Sequence, residues 1–131
     1  ILADAWTTCG AGTEEVLYEA AALAIAQELS ALNTDSLGST NGVYPNCSGL
    51  ENRLFAEVVD AVFHMGMTEE EGNAMIRKIY QKYEHTLDEP KLGQPFNEVY
   101  DVKTIEPTPA WQACYDKVKA DLRDMGIQFR F

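Results

Sequence analysis

Asp4, Trp6, Thr7 and Thr8 form the one cluster in this chain whose residue types and spacing could hold a small charged ligand. A carboxylate and an indole two positions apart can attract an alkylammonium ion, the first by charge and the second by cation–π attraction. The run Ile-Leu-Ala-Asp-Ala-Trp-Thr-Thr-Cys over residues 1–9 predicts a strand that ends in polar residues. These groups would then gather at the strand's C-terminal end. The competing reading is a Trp buried for packing, with the hydroxyls capping the helix that follows.

Other candidates carry less. His64 and His85 fall near the ends of predicted helices, where the helix dipole favours a cationic ring, and neither has the clustered cysteines or carboxylates of a metal site. Cys9, Cys47 and Cys114 are odd in number and scattered, with no Cys-x-x-Cys. That argues against a disulfide framework or a zinc site and for a reducing cytoplasm. Gly38, Gly42 and Gly49 fit neither the dinucleotide fingerprint nor the P-loop, and there is no Gly-x-Ser-x-Gly, His-Glu-x-x-His or EF-hand loop. Glu14–Glu15 and Glu69–Glu71 read as helix starts.

The elements that must position the cluster follow in order. Gly10-Ala-Gly12 makes a turn, and Thr13 caps an Ala-rich helix that runs to about Leu32, where Asn33-Thr-Asp35 stops it. Residues 36–49 are a loop with one short strand near Ser36–Ser39. Leu50, Leu54, Val58, Val62 and Met65 recur at helical spacing and are closed by Gly66. Thr68-Glu-Glu-Glu71 is a capping box opening a helix with Met75, Ile76, Ile79, Tyr80, Tyr83 and Leu87 on one face. The short link between these two helices predicts a tight corner or hairpin. A long connection, 88–106, contains an extended piece at Val99–Val102 and suggests an arm that lies against a neighbouring subunit. Thr108-Pro109 starts a last helix with the stripe Trp111, Tyr115, Val118, Leu122 and Met125, ended by Gly126. Ile127, Phe129 and Phe131 alternate with polar residues and form an edge strand or pack down loosely.

The chain of 131 residues, 46% hydrophobic, reads as one region, 1–131, with a real core. Its net charge is −11, and residues 1–66 hold nine acids against one base, Arg53. Such a surface repels phosphate backbones, so nucleic acid is not an expected partner. The longest apolar run, Ala20–Ala26, is too short to cross a bilayer, and there is no signal-peptide pattern. Two strands cannot make a stable parallel sheet alone. The order strand, helix, short strand, then helices fits an α/β class: the last strand–helix units of a (β/α)8 barrel with a helical C-terminal extension, mostly α within this chain. In that frame Asp4, Trp6 and Thr7 would face the barrel's active-site mouth. Beginning with Ile1, the sequence is expected to be the tail of a longer parent.

A set of residues resembles the C-terminal part of the monomethylamine methyltransferases. They are Glu51, Arg53, the pair Glu57-Val58, Tyr83-Glu84, Phe96, Glu98, Tyr100-Asp-Val-Lys-Thr104, Pro107-Thr108 and Tyr115-Asp116. Cys9, Thr13-Glu14 and the Ala-rich helix extend the likeness upstream. It covers all of this chain and the last third or less of the enzyme. The resemblance implies a (β/α)8 barrel in a homo-oligomer, expected as a hexamer. It implies a pyrrolysine, lying upstream of Ile1, whose imine captures methylamine. The methyl group would pass to a corrinoid carried by a partner protein docked at the mouth, so this chain binds no cofactor directly. The family's strand matching residues 1–9 carries Gln and Tyr, where this chain has Ala5, Trp6 and Thr7. As a piece, the chain is expected to be inactive. The rival expectation is a free-standing helical interaction or oligomerisation domain.

Overall fold

The computed structural model describes residues 2–31 and 33–131. It opens with strand β1 (Leu2–Ala5), helix α1 (Glu14–Leu29) and strand β2 (Asn33–Leu37). The strands pair in parallel, Leu2 with Asn33, Ala3 with Thr34 and Ala5 with Leu37, with an irregularity between Ala3 and Ala5. The rest is helical: α2 (Gly49–Met65), α3 (Glu69–Tyr80), a 3₁₀ turn (Glu84–Thr86), the single turn α4 (Phe96–Val99) and α5 (Pro109–Met125). A hairpin of two-residue strands, β3 (Tyr100–Asp101) with β4 (Glu106–Pro107), precedes α5. This α/β content, mostly helix, matches the class read from the sequence.

Helix α1 is the centre of the packing. Val16, Leu17, Ala20, Ala21, Ala24 and Ile25 are all buried, so the Ala-rich girth is covered on several sides at once. Small side chains let neighbours come close: a Cβ at Gly72 of α3 would lie 1.9 Å from Leu29 Cδ1. Leu54, Val58 and Val62 of α2, Ile79 of α3, and Val118 and Leu122 of α5 complete the core. Each such side chain contributes about 1.5–3 kcal/mol on burial.

The caps fall where the residues call for them. Thr13 Oγ accepts from the Val16 amide at 3.3 Å, and Thr68 and Glu71 close a reciprocal capping box. Gly66 ends α2 with φ +61. Thr108 accepts from the Trp111 amide, with Pro109 in the first turn of α5. A second capping box, Ser48 with Glu51, opens α2 and went unread in the sequence.

Several expectations need correction. Helix α3 stops at Tyr80, and a 3₁₀ turn, Glu84–Thr86, follows, so Tyr83 and Leu87 do not lie on its face. Helix α1 stops at Leu29, and Asn33-Thr-Asp35 begins strand β2 instead of a loop. Ile1 and Leu32, which the expected strand and helix included, lie outside the described residues. Val99 closes α4, and the extended piece is confined to Tyr100–Asp101. Ile127 is fully buried, but the last residues form no strand; they are held by Arg130, whose guanidinium bonds Asp60 at 2.8 and 2.9 Å.

Candidate functional site

At the end of β1, exposure alternates in the manner of a strand: Asp4 exposed, Ala5 buried, Trp6 exposed, Thr7 buried. Asp4 and Trp6 therefore share the open side, and Thr7 lies on the other. Trp6 is 62% exposed, so the reading of a Trp buried for packing is wrong. The reason lies in the loop after β2. A Cβ at Gly38 would lie 2.3 Å from the indole Cδ1 and Nε1, and one at Gly42 would lie 3.0 Å from Cζ3. The indole rests on glycine backbone because nothing projects there, and the remainder of the ring is left to solvent.

Backbone hydrogen bonds fasten this loop to β1. Gly38 N–H donates to the Ala5 carbonyl at 2.8 Å and Asn41 N–H to that of Thr7 at 2.7 Å. The Thr7 hydroxyl donates to the Cys9 carbonyl at 2.8 Å, so it braces the turn and does not face a ligand. Thr40 Oγ donates to the Asn46 carbonyl at 2.7 Å. Val43 and Tyr44, next to Gly42 in sequence, are also exposed.

Beneath the turn sits a carboxylate that sequence reasoning missed. Glu19 of α1 is buried and accepts three hydrogen bonds: from Thr8 N–H at 3.0 Å, the Thr8 hydroxyl at 2.6 Å and Cys9 N–H at 2.9 Å. The Thr8 hydroxyl thus serves Glu19 and does not cap α1. Cys9 is fully buried; its thiol donates to the Thr86 hydroxyl at 3.3 Å, which donates to the Tyr83 carbonyl at 2.7 Å. Burial, and after it the charge of Glu19, push the Tyr83 phenol up to about 12. A carboxylate inside an Ala-rich helix gives no pattern a reader could use. The available signal was Thr8-Cys9 ahead of a Gly-rich turn.

The start of the arm belongs to this region. Gly10 N–H donates to the Lys91 carbonyl at 2.9 Å, Gln94 N–H to Ala11 at 2.8 Å, and the Asn46 amide to Leu92 at 2.9 Å. Lys91 pairs with Glu15, and His85 lies 3.5 Å from the same carboxylate. Burial raises the Glu15 pKa, and the Lys91 hydrogen bond and charge outweigh it, leaving Glu15 below the usual range. Residues 91–94 are therefore fastened to their own chain at the β1–α1 turn. His64 bonds the Asp60 carbonyl one turn back at 2.8 Å.

Comparison with known proteins agrees with this architecture. The family model described as monomethylamine methyltransferase MtmB matches residues 2–127. Monomethylamine methyltransferase MtmB2 of Methanosarcina acetivorans is 34% identical over 122 residues, 92% of this chain and 26% of that protein. MtmB1 of Methanosarcina barkeri has the same identity over the same length. The chain thus spans about a quarter of the length of the curated relatives it matches. The crystal structure of the Methanosarcina barkeri monomethylamine methyltransferase superposes with a TM-score of 0.85 at 30% identity, covering 98% of this chain and 29% of that one. A hydroxylamine complex of MtmB superposes equally well.

Proposed function

The chain belongs to the monomethylamine methyltransferase family MtmB, and from that membership we propose that it forms the C-terminal part of an enzyme transferring a methyl group from a methylated amine to a corrinoid protein. The observation that carries this is the joint match of sequence, 34% identity over 92% of the chain, and of shape, a TM-score of 0.85. In this reading β1 and β2 are neighbouring strands of a (β/α)8 barrel, and their C-terminal ends supply part of the mouth.

The chain's own residues suit binding better than bond-making. Trp6 offers an open indole face, and Asp4 adds a carboxylate on the same side. A methylated ammonium over that ring would gain about 0.5–2 kcal/mol from cation–π attraction. Thr7 acts at one remove: its carbonyl holds Asn41 and its hydroxyl holds the turn, so it keeps Trp6 and the Gly38–Gly42 loop in register. The thiol of Cys9 is buried and engaged with Thr86. The electrophile, a pyrrolysine in this reading, and the corrinoid partner's remaining contacts belong to the rest of the parent.

The purified chain, given methylamine and the corrinoid protein of a related system, should transfer no methyl group. Adding the matching N-terminal portion of a homologous enzyme should restore transfer. Transfer by the chain alone would overturn the assignment of the chemistry to the missing portion.

The oligomerisation reading has one observation in its favour. Val102 and Ile105 stand 57% and 62% exposed at the tip of the β3–β4 hairpin, two apolar side chains turned largely to solvent. A free-standing, non-catalytic association domain would self-associate through this tip, so light scattering should show a mass that falls in the Val102→Ser variant; a native chain that is monomeric removes that reading. Among the described residues no helix is long and apolar enough to cross a membrane.

A further inference from the structure

Two successive backbone amides and one hydroxyl converge on a single carboxylate where β1 gives way to α1. The donors are Thr8 N–H, Thr8 Oγ–H and Cys9 N–H; the acceptors are both oxygens of Glu19. Successive N–H groups presented to one point are the recognition element of an anion-binding turn. Here the anion is covalently supplied. Glu19 is buried, and none of the ion pairs among the described residues involves it. A buried carboxylate without a cation is costly, and an apolar side chain would serve α1 better if packing were its only task. What the carboxylate gains is the whole donor set of the turn.

We infer that the Thr8–Cys9 turn is an anion-binding site carrying its own anion, and that Glu19, by filling it, denies the strand end to free phosphates and carboxylates. The same filling holds a carboxylate against Thr8 and Cys9, two and three residues beyond Trp6, and Glu19 is one of the nine acids that residues 1–66 hold against one base. The strand end is thereby selective for cations over anions. This consequence for selectivity rests on the reading of the strand end as an ammonium-binding mouth; the occupied turn itself does not.

Glu19→Ala removes a fragment the size of acetate. The variant should melt below the native chain at pH 7. Sodium acetate or formate should return much of that loss in a saturable way, while equal sodium chloride should not, and the native chain should respond alike to all three. ¹³C-acetate should also show line broadening with the variant and none with the native chain. Equal responses of the variant to acetate and chloride would overturn the proposal. If Glu19→Ala does not fold, Glu19→Gln decides: the Thr8 and Cys9 amide protons should exchange faster than in the native chain, and unchanged exchange would overturn it. Methylammonium titrated against Trp6 emission in a Trp111→Phe background reads the mouth separately. No response there removes the ammonium-binding reading and leaves the acetate result to judge the turn.

Discussion

The indole of Trp6 is seated on Gly38, with only 2.3 Å between its Cδ1 and Nε1 atoms and the place a Cβ would occupy. A residue exposed to solvent over most of its surface is thus fixed from below by the absence of a side chain elsewhere in the chain. The relationship makes Trp6 a presented surface and not a core residue.

Gly38→Ala should therefore lift the indole from its seat. Overpacking costs about 1–3 kcal/mol in a closed core. Trp6 can swing toward solvent, so the lower end of that range is expected here. The larger effect should be spectroscopic: in a Trp111→Phe background, Trp6 emission should shift to longer wavelength and acrylamide quenching should rise. Unchanged quenching would mean that the ring does not depend on Gly38.

Much of the helical part was legible because its ends carry chemistry. Gly66, Thr68 with Glu71, Thr108-Pro109 and Gly126 each solve a local hydrogen-bonding problem, and the structure ends its helices there. Strand β2 was expected near Ser36–Ser39 but runs over Asn33–Leu37; its start was not legible, since Asn33-Thr-Asp35 favours turns and its extended form depends on pairing with β1. Asp4 and Trp6 were found as candidates because charge and aromaticity show in the sequence. The Glu19 contacts and the glycine seat were not, because each depends on segments meeting through the fold.

Trp111 should be costly to replace. It is buried, and its Nε1–H donates to Ser48 Oγ at 2.9 Å, whose own proton goes to Glu51 at 2.6 Å. Trp111→Phe removes that donor and leaves a partial void, and a loss of about 2 kcal/mol is expected in urea denaturation. The variant should stay folded and is then the single-Trp background for Trp6. A loss below about 0.5 kcal/mol would show that the bond contributes little beyond packing.

The contact between α2 and α5 should set part of the acid limit of stability. Glu57 is buried with Lys119 at 2.7 Å, Arg53 at 2.8 Å and the Tyr115 hydroxyl against it. Burial raises its pKa, but the hydrogen bonds from Lys119, Tyr115 and Arg53 prevail and hold it below its ordinary 4.5. A carboxylate depressed on folding stabilises above its unfolded pKa, and that contribution disappears as pH falls through the folded value. Glu57→Gln should be clearly destabilised at pH 7, by less than the about 3–5 kcal/mol of a fully broken buried pair, because the amide keeps part of the bonding. The difference from the native chain should shrink below pH 4.5. A difference independent of pH from 7 to 3 would assign the loss to shape and not to charge. Glu51 has the opposite sign: burial raises its pKa, so its ionisation weakens the fold as pH rises.

The hairpin tip offers a gain in stability. Ile105 has φ +59, a region that a β-branched residue rarely adopts, and it is 62% exposed, so no burial compensates. The turn holds it there: Ile105 N–H donates to the Asp101 carbonyl at 2.8 Å, and the Asp101 carboxylate accepts from Lys103 N–H at 2.7 Å and Thr104 N–H at 3.2 Å. Such strain costs on the order of 1 kcal/mol. Ile105→Gly relieves it but frees the unfolded chain, whereas Ile105→Asn tolerates the left-handed region with less added freedom. Ile105→Asn should thus raise the urea midpoint more than Ile105→Gly, by up to about 1 kcal/mol in stability. A fall in both variants would mean that the isoleucine side chain makes contacts at the tip worth more than the strain.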